Sequence, residues 1–337
     1  MPDAVPTISV VVCHHHGALW QGCFETLAQS VGVTFELIVV SSNPPPEWTG
    51  EWFTVLHDTG GPAHKRNVGV QHSRGEYLVF LDDDTEVSPY MLYNFWRGFQ
   101  ELPTAGMLFA RIYNGERRSE LDDCGSWLTP TGFLYARASC RTLDQDTLLR
   151  PVPCLASKSA GCAIRRATFL RVGGFDASYY ILGEETDLAW RVWLSGAEVW
   201  YWPHAVLWHY FNTGAKPVQD YYTLRRIHTY GARNYLRCLT TNLGLCTLWY
   251  TLPIHLLAWL AAAGGFVVRG QPLRARMVLS GVWEYVRSLP ATYRKRRLVQ
   301  ATRQRSDRQL WPLITTPVPW AYYPQRLMRY IFNGLHG

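Results

Sequence analysis

Short apolar runs alternate with stretches of helical period over the first 110 residues of the chain. Thr7 to Cys13 is a β-branched run, and Gly17 to Ser30 follows with Leu19, Cys23, Leu27 and Ala28 on one helical stripe. Phe35 to Val40 predicts a second strand, closed by the breaker cluster Ser41 to Pro46, and Trp52 to Leu56 a weaker third. The turn Gly60–Gly61–Pro62 opens a helix from Ala63 to about Arg74. Tyr77 to Leu81 is apolar throughout, as in a strand buried on both faces of a parallel sheet. Alternation at this spacing predicts a doubly wound α/β sheet.

Residues 112–158 are irregular and read as loops and short strands. Regularity returns at Gly161 to Arg165, with a short helix, the Gly173–Gly174 turn and a helix from Glu184 to Ser195. Two short strands follow, Glu198 to Tyr201 and Ala205 to His209, broken by Pro203. After Asn212 the pattern changes. Tyr221 to Thr241 reads as a basic, aromatic helix, Leu243 to Val268 is nearly uncharged, and basic helical segments come after it. The shift divides the chain into a catalytic domain, residues 1–215, and a helical region, residues 216–337.

An apolar share of 47% over 337 residues supports a sizeable core and excludes wholesale disorder. Eight cysteines without a C-x-x-C pair argue against a zinc site or a disulfide scaffold, and predict reduced thiols in a cytoplasmic setting. Ile8 to Val12 is too short for a signal peptide and lacks a basic lead. The net charge of +7 conceals an asymmetry: residues 1–224 carry 24 acidic against 16 basic residues, whereas residues 225–308 carry 15 basic against two acidic. That division points to a cation-using site in the first part and an anionic surface as partner of the second.

Asp82, Asp83 and Asp84 end the apolar strand. In extended chain Asp82 and Asp84 share one side and Asp83 takes the other. Adjacent carboxylates raise one another's pKa unless a positive group lies between them. At the carboxyl end of a central strand they suit Mg2+ or Mn2+ with coordination sites left for phosphate. The competing reading is an acidic turn leading to a helix capped by Ser88. Glu184, Glu185 and Asp187 form a second cluster in a first helical turn, where carboxylates also complement the helix dipole. Arg191, four residues on, reads as a surface partner of Asp187. His209 is a candidate ligand or acid/base.

Taken in order, the ISVVV strand, FELIVV, the Gly60–Gly61 turn with Arg66–Asn67, GEYLVFLDDD, SAGCAIRRATFLRVGGFD, GEETDLAWR and WYWPHAVLWH resemble the inverting glycosyltransferases of family 2. The resemblance runs over residues 7–212 and is to rhamnosyltransferase-like bacterial and archaeal members with a membrane-associated C-terminal tail. It implies the GT-A fold, with a nucleotide-binding half and an acceptor half on one sheet. It implies that the aspartate triplet is the family's D-x-D, with Asp84 a direct ligand of Mn2+ or Mg2+, Asp82 nearer the ribose and within the metal set, and His209 completing it. Glu184–Glu185 stands where the family has Glu-Asp, whose second residue is the base. The longer Glu185 leaves the base open between Glu185, Glu184 and Asp187. Ser41–Ser42–Asn43 replaces an aspartate for the nucleoside, leaving Asn43 to bond base or ribose. Cys13, His14, Arg66, Asn67, Asp82, Asp83 and Gly161 complete the expected donor contacts, and Lys65 is a further phosphate candidate. Trp190–Arg191 reverses the order of the Q-x-x-R-W motif of processive synthases, which implies addition of a single sugar.

Leu243 to Val268 is long enough to span a bilayer, but Pro253 and Gly264–Gly265 interrupt it and both flanks are basic. We expect a re-entrant hairpin bent near Pro253, or helices lying in the interface at the cytoplasmic face; a buried helical hairpin of a soluble protein is the alternative. Arg294–Lys295–Arg296–Arg297 suits anionic headgroups. Tyr322, Tyr323, Arg326, Arg329, Tyr330 and Phe332 mix aromatic and basic groups as interfacial helices do. Nucleic acid is not an expected partner, since no recognition motif accompanies the charges. The tail predicts a membrane-presented acceptor, a lipid-linked saccharide or glycolipid. A nucleotidyltransferase is the rival enzyme, but Cys13–His14–His15–His16–Gly17 supplies no glycine-rich phosphate loop. A membrane scaffold with a decayed transferase domain is the non-enzymatic rival.

Overall fold

The computed structural model describes residues 5–14, 19–44, 52–137, 145–210 and 221–333. His15, His16, Gly17 and the composition break after Asn212 lie outside the described residues. The chain forms two units. The first comprises Met1–Trp127, Ala136–Tyr180 and Glu184–Thr213; the second comprises Leu128–Tyr135, Ile181–Gly183 and Gly214–Gly337.

Up to Thr213 the elements are β1 (Ile8–His14), α1 (Trp20–Ala28), β2 (Phe35–Ser41), β3 (Phe53–His57), α2 (Pro62–Gln71), β4 (Tyr77–Asp82), β5 (Thr85–Val87), α3 (Met91–Glu101), β6 (Ala105–Asn114), β7 (Leu121–Asp123), β8 (Ser126–Leu128), β9 (Leu134–Ala136), α4 (Gln145–Leu148), β10 (Val152–Pro153), β11 (Gly161–Arg165), α5 (Arg166–Arg171), α6 (Glu184–Leu194) and β12 (Glu198–His209). The main sheet runs β10-β12-β6-β11-β4-β1-β2-β3, with β5 on β12 and β7 on β6. Strands β3, β2, β1 and β4 are parallel, and β11 enters antiparallel between β4 and β6. This is the expected α/β sheet, made mixed by β11 and by the antiparallel β5, β7 and β10.

Its apolar pattern explains the centre. Tyr77 to Leu81 is buried throughout β4, as is every residue of β1. Cys13 pairs with Asp82, so β1 and β4 finish side by side and deliver His14 and Asp82 to one carboxyl edge. Helix α2 lies close on β1 because residue 69 is glycine: a Cβ there would stand 2.4 Å from Val11 Cγ1. Pro203 does not divide β12, contrary to expectation. The strand continues through it with a register shift between Trp202 and Val206, where a residue without an N–H is tolerated.

In the second unit, the stretch expected as one helix from Tyr221 is α7 (Tyr221–Leu224), a π-helical turn at Arg225–Tyr230 and α8 (Gly231–Asn242). Next come α9 (Leu245–Val268), α10 (Pro272–Ala301), α11 (Asp307–Ile314) and α12 (Tyr322–Asn333). Ile227, Ala262, Phe266, Val278 and Tyr330 form its core. The hairpin expected at Pro253 does not form. Helix α9 runs unbroken through the proline, whose missing hydrogen bond is offset by packing against α8, α10 and α12. Nor is α9 a buried core helix: it buries Leu248, His255 and Phe266 but exposes Leu245, Trp249, Leu257 and Val268. Arg296 also departs from expectation. Its guanidinium is buried and donates to the carbonyls of Thr240 at 2.5 Å and Leu243 at 2.6 Å, tying α10 to the end of α8.

Gly161, expected to touch the donor, is a packing position instead. It pairs with Leu81 inside the sheet, and a Cβ there would fall 2.2 Å from Leu207 Cδ2 and 3.2 Å from Ala110 Cβ. Gly161→Ala should lower stability by about 1–3 kcal/mol through overpacking, measured by urea denaturation. Combined with Leu207→Ala, the loss should be smaller than the sum of the two single losses; simple additivity would refute the clash.

Candidate active site

Two carboxylate clusters far apart in sequence meet at one buried guanidinium. Arg66, on α2, donates from Nη2 to Asp82 Oδ1 at 2.7 Å and from Nη1 to Glu184 Oε1 at 3.1 Å. Its guanidinium carbon also lies 5.4 Å from the centre of the Phe175 ring. Burial works against charge on Arg66, but Asp82 and Glu184 outweigh it and hold the guanidinium protonated even more firmly than usual. Lys65 is buried too and donates from Nζ to the His14 carbonyl at 3.0 Å; burial pulls its pKa down. Neither residue is a solvated helix position.

Asp82, Asp84 and His209 each offer a ligand atom, all within 4.8 Å of one another. Asp83 faces the other way, with Oδ2 3.8 Å from His14 Nε2. The division of sides expected for extended chain therefore holds, although Asp83 and Asp84 form a turn. That turn leads into β5, and α3 begins at Met91 without a side-chain cap, so Ser88 has no capping role. Burial depresses the pKa of His209, but its contacts to Asp122 and Asp84 more than offset this and raise it to about 9. Two carboxylates and an imidazole at this separation fit a hard or borderline divalent cation; Mn2+ or Mg2+ would be held by Asp82, Asp84 and His209.

Asp122 escaped the sequence reading. It lies in the segment that reads as irregular, and only the pairing of β7 with β6, beside β12, brings it to His209. Lys158, missed for the same reason, donates to it at 2.5 Å. The adjacent acids Asp122–Asp123 were the one visible signal.

Helix α6 starts after Gly183, whose φ of +85° is open to glycine at little cost. Glu184 is buried against Arg66. Glu185 is half-buried, and burial together with the charge of Glu184 raises its pKa well above the ordinary glutamate value. Asp187 is fully buried and engaged by Arg191 at 2.7 Å and 2.8 Å. The pair expected on the surface is thus an internal strut, which leaves no access for an acceptor and removes Asp187 from the base candidates. Asn67 is spent on the backbone of Phe175, donating to its carbonyl at 2.8 Å and accepting from its N–H at 3.0 Å, and so clamps the loop beneath Arg66 rather than reaching a donor. Asn43 is exposed after β2, its N–H donating to Ser41 Oγ at 3.1 Å. Burial pushes the Cys13 thiol up to about 12, which leaves it inert.

Residues 9–139 match the Glycosyl transferase family 2 pattern. Glu184, Glu185 and His209 lie beyond that match. The pre-mycofactocin glycosyltransferase of Mycobacterium tuberculosis is 29% identical over 170 residues, which is 47% of this chain and 32% of that protein. The chain spans between 32% and 56% of the length of the curated relatives it matches. Among solved structures, S. aureus TarS 1–349 in complex with UDP-GlcNAc is similar with a TM-score of 0.57 and 14% identity over 97% of this chain and 90% of that one. Mannosyltransferase PcManGT from Pyrobaculum calidifontis, in complex with GDP-Man and Mn2+, gives a TM-score of 0.50 and 17% identity over 85% of this chain and 88% of that one. These likenesses establish the fold over both acidic clusters. Residues 9–139 are thus similar to Glycosyl transferase family 2 domains, and the chain has the GT-A fold of the solved glycosyltransferases.

Proposed function

We propose that this protein moves one sugar from a nucleotide-sugar donor to a hydroxyl of a saccharide or glycolipid presented at an anionic membrane surface, inverting the anomeric carbon. The observation that carries the reading is the Arg66 bridge, which joins the Asp82 end of the cation site to the helix bearing Glu184 and Glu185. The similarity to transferases solved with UDP-GlcNAc or with GDP-Man and Mn2+ supports a nucleotide-sugar donor.

The cation, when bound, neutralises the departing diphosphate as a Lewis acid. Glu185 is the base: half-buried, it is open to an acceptor, whereas Glu184 is committed to Arg66. As the acceptor oxygen bonds to the anomeric carbon, Glu185 takes its proton. The bond from that carbon to the diphosphate oxygen breaks, and its electron pair leaves with the nucleoside diphosphate. Attack from the opposite face inverts the centre without a covalent enzyme intermediate. The raised pKa of Glu185 makes it a stronger base than an ordinary glutamate.

The second unit supplies the membrane contact. Helix α9 is long and apolar enough to cross a bilayer, but only 28% of its most apolar window is buried. Its outward Trp249 and Leu257 are 84% and 66% exposed, and basic residues flank both ends. We read it as lying in the interface plane, where aromatic, aliphatic and basic groups coexist.

Release of sugar from a panel of UDP-, GDP- and dTDP-sugars with Mn2+ tests the chemistry. Wild-type chain should hydrolyse one class slowly, and release from none of them would favour the scaffold. Glu185→Gln should keep donor binding and lose about 10²–10⁴-fold in turnover; if Glu184→Gln does so instead, the base is the neighbour. Because Glu185 works deprotonated and its pKa is raised, wild-type turnover should climb with pH through an apparent pKa above 4.5 to a plateau. Glu185→Gln should abolish that limb.

The membrane reading is tested by flotation. The full chain should float with phosphatidylglycerol vesicles and not with phosphatidylcholine alone. Trp249→Glu with Leu257→Glu should abolish flotation while leaving donor hydrolysis intact; undiminished flotation of that variant overturns the assignment of α9.

A further inference from the structure

His209 stands between two carboxylates of different standing. Its Nε2 is 3.4 Å from Asp84 Oδ1, within the cation site, and its Nδ1 is 3.4 Å from Asp122 Oδ2. The other oxygen of Asp122 is gripped by Lys158 Nζ at 2.5 Å. The next residue, Asp123, accepts from Ser157 Oγ at 2.6 Å and from the Gly125 N–H at 2.8 Å. Two successive residues of β7 are thus fastened to two successive residues ahead of β11, and the Asp122 carboxylate cannot turn from His209 without disturbing that clasp.

A neutral imidazole offers a lone pair to a cation from only one nitrogen, and the proton on the other decides which. An ionised carboxylate accepts and never donates. Both ring nitrogens face carboxylates, so without an ion each is favoured as a donor; with a cation on the Nε2 side, the hydrogen can stay only on Nδ1, where Asp122 accepts it. We propose that Asp122 is a positioning residue: it fixes the Nδ1–H tautomer and ring orientation of His209 so that Nε2 completes the cation site with Asp82 and Asp84, and Lys158 holds Asp122 in that pose. The inference rests on the reading of those three residues as a cation site. It adds two residues that neither the D-x-D segment nor the family match at residues 9–139 assigns to a metal, although Asp122 lies within that match.

The test is Mn2+ affinity of the full chain without donor, with free ion read by electron paramagnetic resonance. Two double variants are compared, Asp122→Asn/Lys158→Met and Asp122→Ala/Lys158→Met. Each removes one negative and one positive charge, so the local net charge stays that of the wild type, and no buried charge is left unpaired to threaten the fold. Only the asparagine keeps an oxygen to accept from His209 Nδ1–H. The asparagine variant should bind Mn2+ close to wild type, and the alanine variant should be weaker by about 10–100-fold, the usual cost of losing a partner behind a ligating histidine. Equal affinities in the two variants overturn the proposal, whether both stay strong or both weaken. Asp84→Ala separates the two levels of inference. If it binds Mn2+ like the wild type, the cation site itself is wrong; if it loses the ion while the alanine double variant does not, only the role of Asp122 is wrong.

Discussion

A guanidinium enclosed by protein is tolerable only where carboxylates face it, and Arg66 has two, one from each acidic cluster. Breaking such a pair by removing one partner costs about 3–5 kcal/mol, because an uncompensated charge remains inside. Arg66 is therefore a constraint in both directions. Asp82 and Glu184 make its burial possible, and it fixes where Glu184, and with it the first turn of α6, must sit. The rest of the local structure serves this placement. Gly69 lets α2 lie close on β1, Asn67 clamps the Phe175 loop against the guanidinium, and the Asp187–Arg191 strut stiffens α6 from within.

Much of this was legible in the chain, and the legible parts share a cause. The strands β1, β2 and β4 are largely apolar runs whose central residues are buried, so their period and composition are local properties. The opposed sides of Asp83 and Asp82/Asp84 likewise follow from alternation along a few residues. What escaped depends on contacts between distant segments. Nothing around Asp122 announces that β7 will pair with β6, and without that pairing its nearness to His209 is invisible. The contacts that Asn67 and Gly161 make within the protein were hidden for a related reason. Each occurs inside a motif, but the Phe175 backbone and the Leu207 side chain decide what it touches.

Prolines misled twice in opposite settings. In β12, Pro203 falls at a register shift, so the missing N–H costs no ladder bond. In α9, Pro253 removes a single helical bond from a helix of 24 residues that packs on three others. A proline breaks an element only when that element has too little else to hold it, and neighbours are not written in the local sequence. Arg296 makes the same point about charge. Within a run of four basic residues it is spent on backbone carbonyls at the end of α8, so the run is not a uniform headgroup site.

The balance of charge around the Arg66 bridge favours a cation beside it. Asp82, Asp83, Asp84, Asp122, Glu184 and Glu185 gather near Arg66, Lys65 and Lys158, and His209 adds positive charge only when protonated. A diphosphate entering this cluster would meet more carboxylates than fixed cations. Two unit charges 4 Å apart interact by about 4 kcal/mol at an effective dielectric of 20, so even one unbalanced pair is a serious barrier. Arg66 cannot relieve it, since both arms of its guanidinium are already committed. A divalent ion held by Asp82, Asp84 and His209 would offset that excess of negative charge. One buried arginine thus ties the aspartates of the candidate cation site to the first turn of α6 while compensating charge on both.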